Sequence, residues 1–292
     1  MYSFRQLYCL GAECRLCLLI KKAMFPKIVG RTARHGMKVP HGRARAQTVE
    51  RVLATLDLLA ESDGAVSVTE AAHRLSVNKS SMHRILSSVL GMGYIEQDSK
   101  TLLYSLSPKI LHFAHAYHAS SRLRRVALPY LVQLAEETHA CVSLGILRGS
   151  EVLFVERIMP PKLNAVFSGA GRRVALHCTA NGKVLASFAN QETIRELLQR
   201  PLHAYTPNTH VDPESVQDEL ETIRECGWAS DEEEYRIGVF CIAVPVRDRG
   251  GKVIASLGVS LSNPQRFSET REGIVEAIKS VASMISGLLG YD

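Results

Sequence analysis

An α+β fold is what the sequence predicts, and three observations predict it. Helical periodicity dominates residues 48–138, strand-like runs joined by polar or Gly-containing turns recur beyond Cys141, and helices interrupt those runs without the regular alternation a parallel sheet needs. At 292 residues, 46% hydrophobic and 22% charged, the chain has a globular composition and room for two cores.

Residues 1–46 come first and stand apart. They carry ten Lys/Arg and one acid, whereas residues 47–120 carry six and seven and residues 121–292 carry nineteen and twenty-one, so the formal excess of +6 lies in this segment. Without a sustained period, and ending in a Gly/Arg/Pro run, it reads as a disordered basic arm able to hold phosphates without sequence preference. The other reading is a start of translation at Met24 or Met37, the latter favoured because patterned sequence begins only after Gln47. From Met37 the remaining basic residues are Lys38, Arg43 and Arg45. Cys9, Cys14 and Cys17 have an iron–sulfur-like spacing but no fourth cysteine nearby, so no metal or cofactor is expected there. Seven cysteines fit no disulfide framework, and Leu16–Ile20 is too short and too closely flanked by Arg15, Lys21 and Lys22 to span a bilayer. A cytoplasmic protein without a membrane partner is expected.

From Thr48, Val49, Val52, Leu53, Leu56, Leu59 and Ala60 share one helical face until Ser62-Asp63-Gly64. Ser67-Val-Thr-Glu70 is a capping-box sequence opening a second short helix to Leu75. After Ser76-Val77-Asn78, a third helix over Lys79–Met92 places Met82, Ile85, Leu86, Val89 and Leu90 inward and Lys79, Ser80, Ser81, His83, Arg84 and Ser87 outward. Gly93 stops it. Tyr94–Gln97 and Thr101–Leu106 then flank the turn Asp98-Ser99-Lys100 as a hairpin. Ser107-Pro108 starts a linker helix over Lys109–Ser120, and Arg122–Thr138 forms another, with Leu123, Val126, Tyr130, Leu131 and Leu134 on one stripe.

Beyond Thr138, Cys141–Leu147 and Glu151–Ile158 flank Arg148-Gly149-Ser150 as a hairpin, and Val239–Val246 and Val253–Leu261 flank Asp248–Gly251 as another. Helices are expected over Ala180–Phe188, Thr193–Gln199, Pro213–Cys226 and Ile274–Leu289.

Three short helices followed by a hairpin is the winged helix-turn-helix geometry that lays a recognition helix in the major groove of DNA. Small Ser80 and Ser81 let the third helix approach closely, while Lys79, His83 and Arg84 supply donors to phosphates and base edges. Asn78 at the N-cap and Lys100 in the wing complete the expected contacts. The competing reading is an ordinary solvated helix face, and the helix spacing together with the wing weighs against it.

Thr48–Ala60, Ser67–Leu75, Asn78–Leu86 and Gly93–Gln97 resemble the winged helix-turn-helix of IclR-type (isocitrate lyase regulator) transcriptional regulators. Leu176–Lys183 and Asp231–Val246 resemble the second domain of the same family. The resemblance runs from about Gln47 to the C-terminus. It implies a winged helix-turn-helix at 47–107, a linker helix at 108–121 and an effector-binding domain at 122–292, similar to a GAF domain, with a six-stranded antiparallel sheet flanked by helices. It also implies homodimers, often paired into tetramers, on a palindromic double-stranded operator, answering to a small organic acid. By motif position the polar pocket groups are Ala180, Asn181, Asp231, Cys241 and Ser260, with apolar walls from Leu163, Val166, Val174 and Val239. The start of the Ala180 helix suits a carboxylate, because a helix N-terminus carries partial positive charge. Gly258 departs from the pattern, standing where many relatives have a hydroxyl residue.

Rival readings are an enzyme using Cys241 and His177 beside the acidic run Asp231–Glu234, and an architectural DNA-binding dimer without a ligand. Cys241 lies in an apolar strand run, where cysteine is ordinarily a small hydrophobe, and Glu232–Glu234 read as a solvated loop. His112, His115 and His118 recur every third residue on the linker helix, which suits an interface with a partner chain better than a metal. Gly169-Ala-Gly171-Arg-Arg lacks the ending of a phosphate loop, leaving Arg172 and Arg173 to face solvent or rim the pocket.

Overall fold

The structure is a computed structural model and describes residues 43–62, 64–159 and 169–291. The expectations placed on residues 1–42 lie outside the described residues, as do those for Leu163 and Val166.

Helices α1 (Arg43–Glu61), α2 (Val68–Arg74) and α3 (Lys79–Gly91) precede a two-stranded wing of β1 (Ile95–Gln97) and β2 (Tyr104–Leu106). Helix α1 begins at Arg43 rather than Thr48, since Arg-Ala-Arg-Ala-Gln is made of good helix formers. Its buried face also differs from the expected one. Leu58, Leu59 and Thr55 are buried, whereas Val49, Leu53 (56% exposed) and Ala60 face outward. Thr55 is tolerated because its hydroxyl donates to the Arg51 carbonyl at 2.7 Å.

Only half of the capping box forms. Ser67 accepts from the Glu70 N–H at 3.1 Å, while the Glu70 carboxylate lies 3.9 Å from Arg74. Met82, Ile85, Leu86 and Val89 of α3 pack with Leu58, Leu59, Ala71, Val66, Ile95 and Tyr104 into one small core. Burying each large side chain contributes roughly 1.5–3 kcal/mol. Leu90, expected inward, is exposed. The wing is shorter than expected because the Asp98 carboxylate accepts from the N–H groups of Lys100 and Thr101 and the Thr101 hydroxyl, drawing these residues into the turn. Tyr104 also exchanges backbone hydrogen bonds with Val66, adding a third extended segment.

Helix α4 (Ile110–Ser120) buries no residue, although Leu111, Phe113 and Tyr117 are large and apolar. Helix α5 (Arg122–Thr138) buries Ala127, Leu131, Leu134 and Ala135, with Leu123, Val126 and Tyr130 half-buried.

The six-stranded antiparallel sheet comprises β3 (Cys141–Arg148), β4 (Glu151–Ile158), β5 (Arg173–Ala175), β6 (Ala229–Glu232), β7 (Phe240–Arg247) and β8 (Val253–Leu261), in the order β5-β4-β3-β8-β7-β6. The short edge strands β5 and β6 carry no periodicity visible in the sequence. Helices α6 (Ala180–Ser187), α7 (Gln191–Gln199), α8 (Pro213–Cys226) and α9 (Pro264–Leu289) complete the fold. Helix α9 starts ten residues before the expected Ile274, capped by Asn263 with Pro264 in its first turn.

Side chains alternate across a strand, and here the alternation sorts them by size. Val142, Leu144 and Ile146, Phe240, Ile242 and Val244, and Ala255, Leu257 and Val259 share the large core beneath α5 and α9. The opposite face carries small or polar residues: Cys141, Ser143 and Gly145; Cys241 and Ala243; Ser256, Gly258 and Ser260. Helix α6 lies on this face.

Candidate functional site

Helix α3 presents Lys79, Ser80, His83 and Arg84 to solvent, with Ser81 half-buried. Asn78 caps the helix, its Oδ1 accepting from the Ser81 N–H at 2.8 Å and the Ser80 hydroxyl at 3.0 Å. The cap thus employs the side-chain oxygen of Asn78, a residue expected to contact DNA, and orients Ser80 as well. Lys100 is exposed at the tip of the wing. The residues expected to read DNA therefore lie on an exposed helix face and the adjoining hairpin.

A cavity of about 230 Å³ opens on the small-residue face of the sheet. Seven of the nine residues expected there line it: Ala180 and Asn181 from α6, Asp231, Cys241 and Ser260 from the sheet, and Val174 and Val239 as apolar wall. Register explains the polar floor. Cys141 pairs with Ser260, Ser260 with Cys241, and Cys241 with Asp231, so four adjacent strands present one polar row. The Cys241 thiol lies 3.1 Å from the Ser260 hydroxyl.

Asn181 is held by the sheet. Its amide donates to the Ser256 hydroxyl at 2.9 Å and carbonyl at 3.2 Å, and its Oδ1 accepts from Ser143 at 3.3 Å. A Cβ on Gly258 would stand 2.4 Å from that Oδ1, so the glycine is what admits the side chain. Thr179 caps α6 at the Gly182 N–H, placing Ala180 and Asn181 at the head of the helix.

Phe154, Arg157, Arg172, Thr179, Tyr235 and Arg236 also line the cavity; of these only Arg172 was a candidate rim residue. Phe154 and Arg157 are three apart, which in a regular strand puts them on opposite faces. A bulge changes that. Leu144 pairs with Glu156 but Gly145 with Phe154, so Val155 is the extra residue, and Phe154 and Arg157 meet the cavity-side residues Gly145 and Ser143. The Arg157 guanidinium lies 4.6 Å from the Phe154 ring centroid, and its Nη2 lies 3.6 Å from Cys141 Sγ.

Behind the cavity, Lys183 is 1% exposed and donates to Glu234 at 2.5 Å and Glu219 at 2.6 Å. Burial disfavours its charge, but the two carboxylates outweigh burial and hold the ammonium charged. Glu234, expected in a solvated loop, is buried because this lysine compensates it. Asp231 accepts from the N–H groups of Glu234 and Tyr235, fixing the start of the loop that returns to Val239. Burial, then the Glu234 charge, pushes the Asp231 carboxyl up to about 7.

The nucleophile and base imagined for an enzyme do not meet. His177 bonds the His203 carbonyl, Cys241 contacts Ser260, and burial pushes the Cys241 thiol well above its ordinary value, where thiolate is scarce. Among the described residues, His210, Glu219 and Glu234 form the one group with metal-like proximity, and Lys183 already bonds both of its carboxylates. The three linker histidines are not part of it. No described helix is long and apolar enough to cross a membrane.

A winged helix-turn-helix followed by a sheet domain with an internal cavity defines a DNA-binding regulator that senses a small molecule. Residues 48–99 match the model of the IclR helix-turn-helix domain, and residues 115–287 that of the bacterial transcriptional regulator IclR C-terminal domain. The chain belongs to the IclR family of transcriptional regulators, with a DNA-binding domain and a C-terminal effector-binding domain. It is 32% identical over 246 residues to the HTH-type transcriptional regulator XynR of Escherichia coli, covering 84% of this chain and 98% of that one. It is 31% identical over 240 residues to the Pca regulon regulatory protein of Pseudomonas putida, covering 82% of each. An IclR regulator structure from Alicyclobacillus acidocaldarius superposes with a TM-score of 0.74 at 27% identity, covering 84% of this chain and 99% of that one. An IclR homologue from Microbacterium hydrocarbonoxydans, complexed with 4-hydroxybenzoate, does so at 0.69 and 25%, covering 83% and 98%.

Proposed function

We propose that this regulator is a cytoplasmic homodimer, able to pair into a tetramer, whose affinity for a palindromic operator changes when a small organic acid enters the cavity beside α6. The carrying observation is convergence: Ala180, Asn181, Asp231, Cys241 and Ser260, scattered over eighty residues of sequence, line one cavity with Val174 and Val239. Its size, about 230 Å³, falls just below the roughly 300–1,000 Å³ of sites for drug-sized ligands and suits a small metabolite. The partial positive charge at the head of α6 and the three lining arginines favour an acid. The 4-hydroxybenzoate held by the M. hydrocarbonoxydans homologue is such an acid.

Asn78, Lys79, Ser80, Ser81, His83, Arg84 and Lys100 carry DNA contact in this reading. Residues 47–107 form the DNA-binding domain, 108–121 the linker and 122–292 the sensor. The apolar α4, which buries no residue and exposes Leu111, Phe113 and Tyr117, suits a second copy of the chain. The effector acts through its differential affinity for two arrangements of the dimer, typically about 1–3 kcal/mol.

The test is titration of the protein against labelled DNA flanking its own gene, with excess competitor DNA, alone and with a panel of organic acids. Saturable binding shifted by one acid is expected. Binding no tighter than to competitor, or unmoved by any acid that binds the protein, overturns the reading.

A further inference from the structure

The organic-acid reading leaves open what the two ends of the effector look like, and the cavity is not the same at its two ends. Cys141, Ser260, Cys241 and Asp231 form the polar row across β3, β8, β7 and β6. With strands about 4.8 Å apart, the row spans roughly 14 Å between its end Cα atoms. At the β3 end the bulge in β4 turns Arg157 onto the cavity face, with its guanidinium against Cys141 Sγ and the Phe154 ring. Arg157 also pairs in register with Ser143, whose hydroxyl meets Asn181 at the head of α6, so a full cation and a helix N-terminus adjoin at this end. At the other end stands Asp231, the one acid among the described lining residues, 2% exposed and already accepting two backbone N–H bonds.

A carboxylate placed against Arg157 gains charge-assisted hydrogen bonds on a planar donor that matches it. The same carboxylate placed against Asp231 meets a second carboxyl, and the pair is stable only if they share a proton. A ligand with nothing polar at its far end covers the Asp231 Oδ2, which takes neither of those N–H bonds, without giving it a hydrogen-bond partner, which is costly. We propose, on the basis of the sensor reading above, that the effector is a bifunctional acid lying along this row. One carboxylate sits on Arg157, and a hydroxyl or second carboxyl group at the far end shares a proton with Asp231. Ser260 and Cys241 line the path between, and Val174 and Val239 supply apolar wall. Arg157 sets the requirement for an acid, and Asp231 sets the requirement for a second proton-bearing group.

Isothermal titration of the full chain with unbranched α,ω-diacids from succinate to suberate tests this. Each diacid is matched with the monoacid and ω-hydroxy acid of the same chain length, and benzoate, 4-hydroxybenzoate and terephthalate serve as a rigid set. The best bifunctional acid should bind roughly ten- to hundredfold more tightly than its matched monoacid. Asp231→Asn should narrow that margin by raising monoacid affinity, since the neutral amide is less costly to cover than the carboxyl, and by removing the proton shared with the bifunctional acid. Arg157→Gln should weaken monoacids and bifunctional acids alike by a similar factor, with Arg157→Lys recovering part of it, and circular dichroism should show each variant folded. Monoacids binding as tightly as their bifunctional partners, or Arg157→Gln leaving acid affinity unchanged, overturns this inference and leaves the sensor reading intact. No binding by any acid in the set overturns both.

Discussion

Gly258 and Asn181 occupy one volume between them: a Cβ at position 258 would stand 2.4 Å from the Asn181 side-chain oxygen. The asparagine amide reaches Ser143 on β3 and Ser256 on β8 only because β8 carries no side chain there. Gly258→Ser, although it restores the hydroxyl common among relatives, should therefore destabilise the sensor domain by about 1–3 kcal/mol through overpacking. Asn181→Ala should cost a similar amount by stranding the serine hydroxyls. The double variant Asn181→Ala/Gly258→Ser should cost less than the two singles added, since truncation opens the space the serine needs. Urea denaturation of all four proteins gives the coupling, and strict additivity would remove the shared-volume explanation.

Lys183→Met should be far more damaging than its conservative size suggests. It leaves Glu219 and the buried Glu234 facing each other without their cation, a loss on the order of 3–5 kcal/mol. Part of this should return in Lys183→Met/Glu234→Gln, where the more buried charge is also gone. A melting temperature for Lys183→Met within a degree or so of the parent would show that the cluster contributes nothing to folding.

The Asp231 carboxyl makes stability depend on pH. Its value of about 7 lies above its ordinary 3.8, because burial and the Glu234 charge outweigh Lys183 and the two N–H donors. Cys178 and Cys241 also face it, and Glu219 and His210 stand behind Lys183. A raised value means the folded state prefers the protonated acid. The contribution is thus fully present below about pH 3.8 and is lost as pH climbs through about 7. Subtracting the stability of Asp231→Asn from that of the parent should give a difference that falls steadily across this window. A flat difference would mean that Asp231 ionises freely.

On the DNA side, Arg84→Ala and Ser81→Ala should weaken binding to the operator more than to competitor DNA, by about 1–3 kcal/mol for Arg84. Lys100→Ala should weaken both alike and reduce the salt slope by about one. Equal losses on both DNAs for Arg84→Ala would confine that residue to phosphate contact. Asn78→Ala should also cost about 1 kcal/mol of stability, because its side-chain oxygen caps α3.

The helices and central strands were legible because their signals are local. Ser67 and Asn78 are caps visible as residue types, and the spacing of Met82, Ile85, Leu86 and Val89 declares a buried helical face whatever surrounds it. The apolar alternation of Val142, Leu144 and Ile146 is equally plain in the chain. The pocket candidates Ala180, Asp231, Cys241 and Ser260 came instead from the family resemblance, by their positions in its motifs. Nothing local announces the rest. Arg157 faces the cavity because a one-residue bulge shifts the register of β4 against β3, and register is a property of two strands together. Glu234 is buried because Lys183, fifty-one residues earlier, compensates it, and Leu53 is exposed because α2 and α3 cover the other side of α1. Which polar group enters the core depends on its partner, and that partner is chosen only when the chain closes on itself.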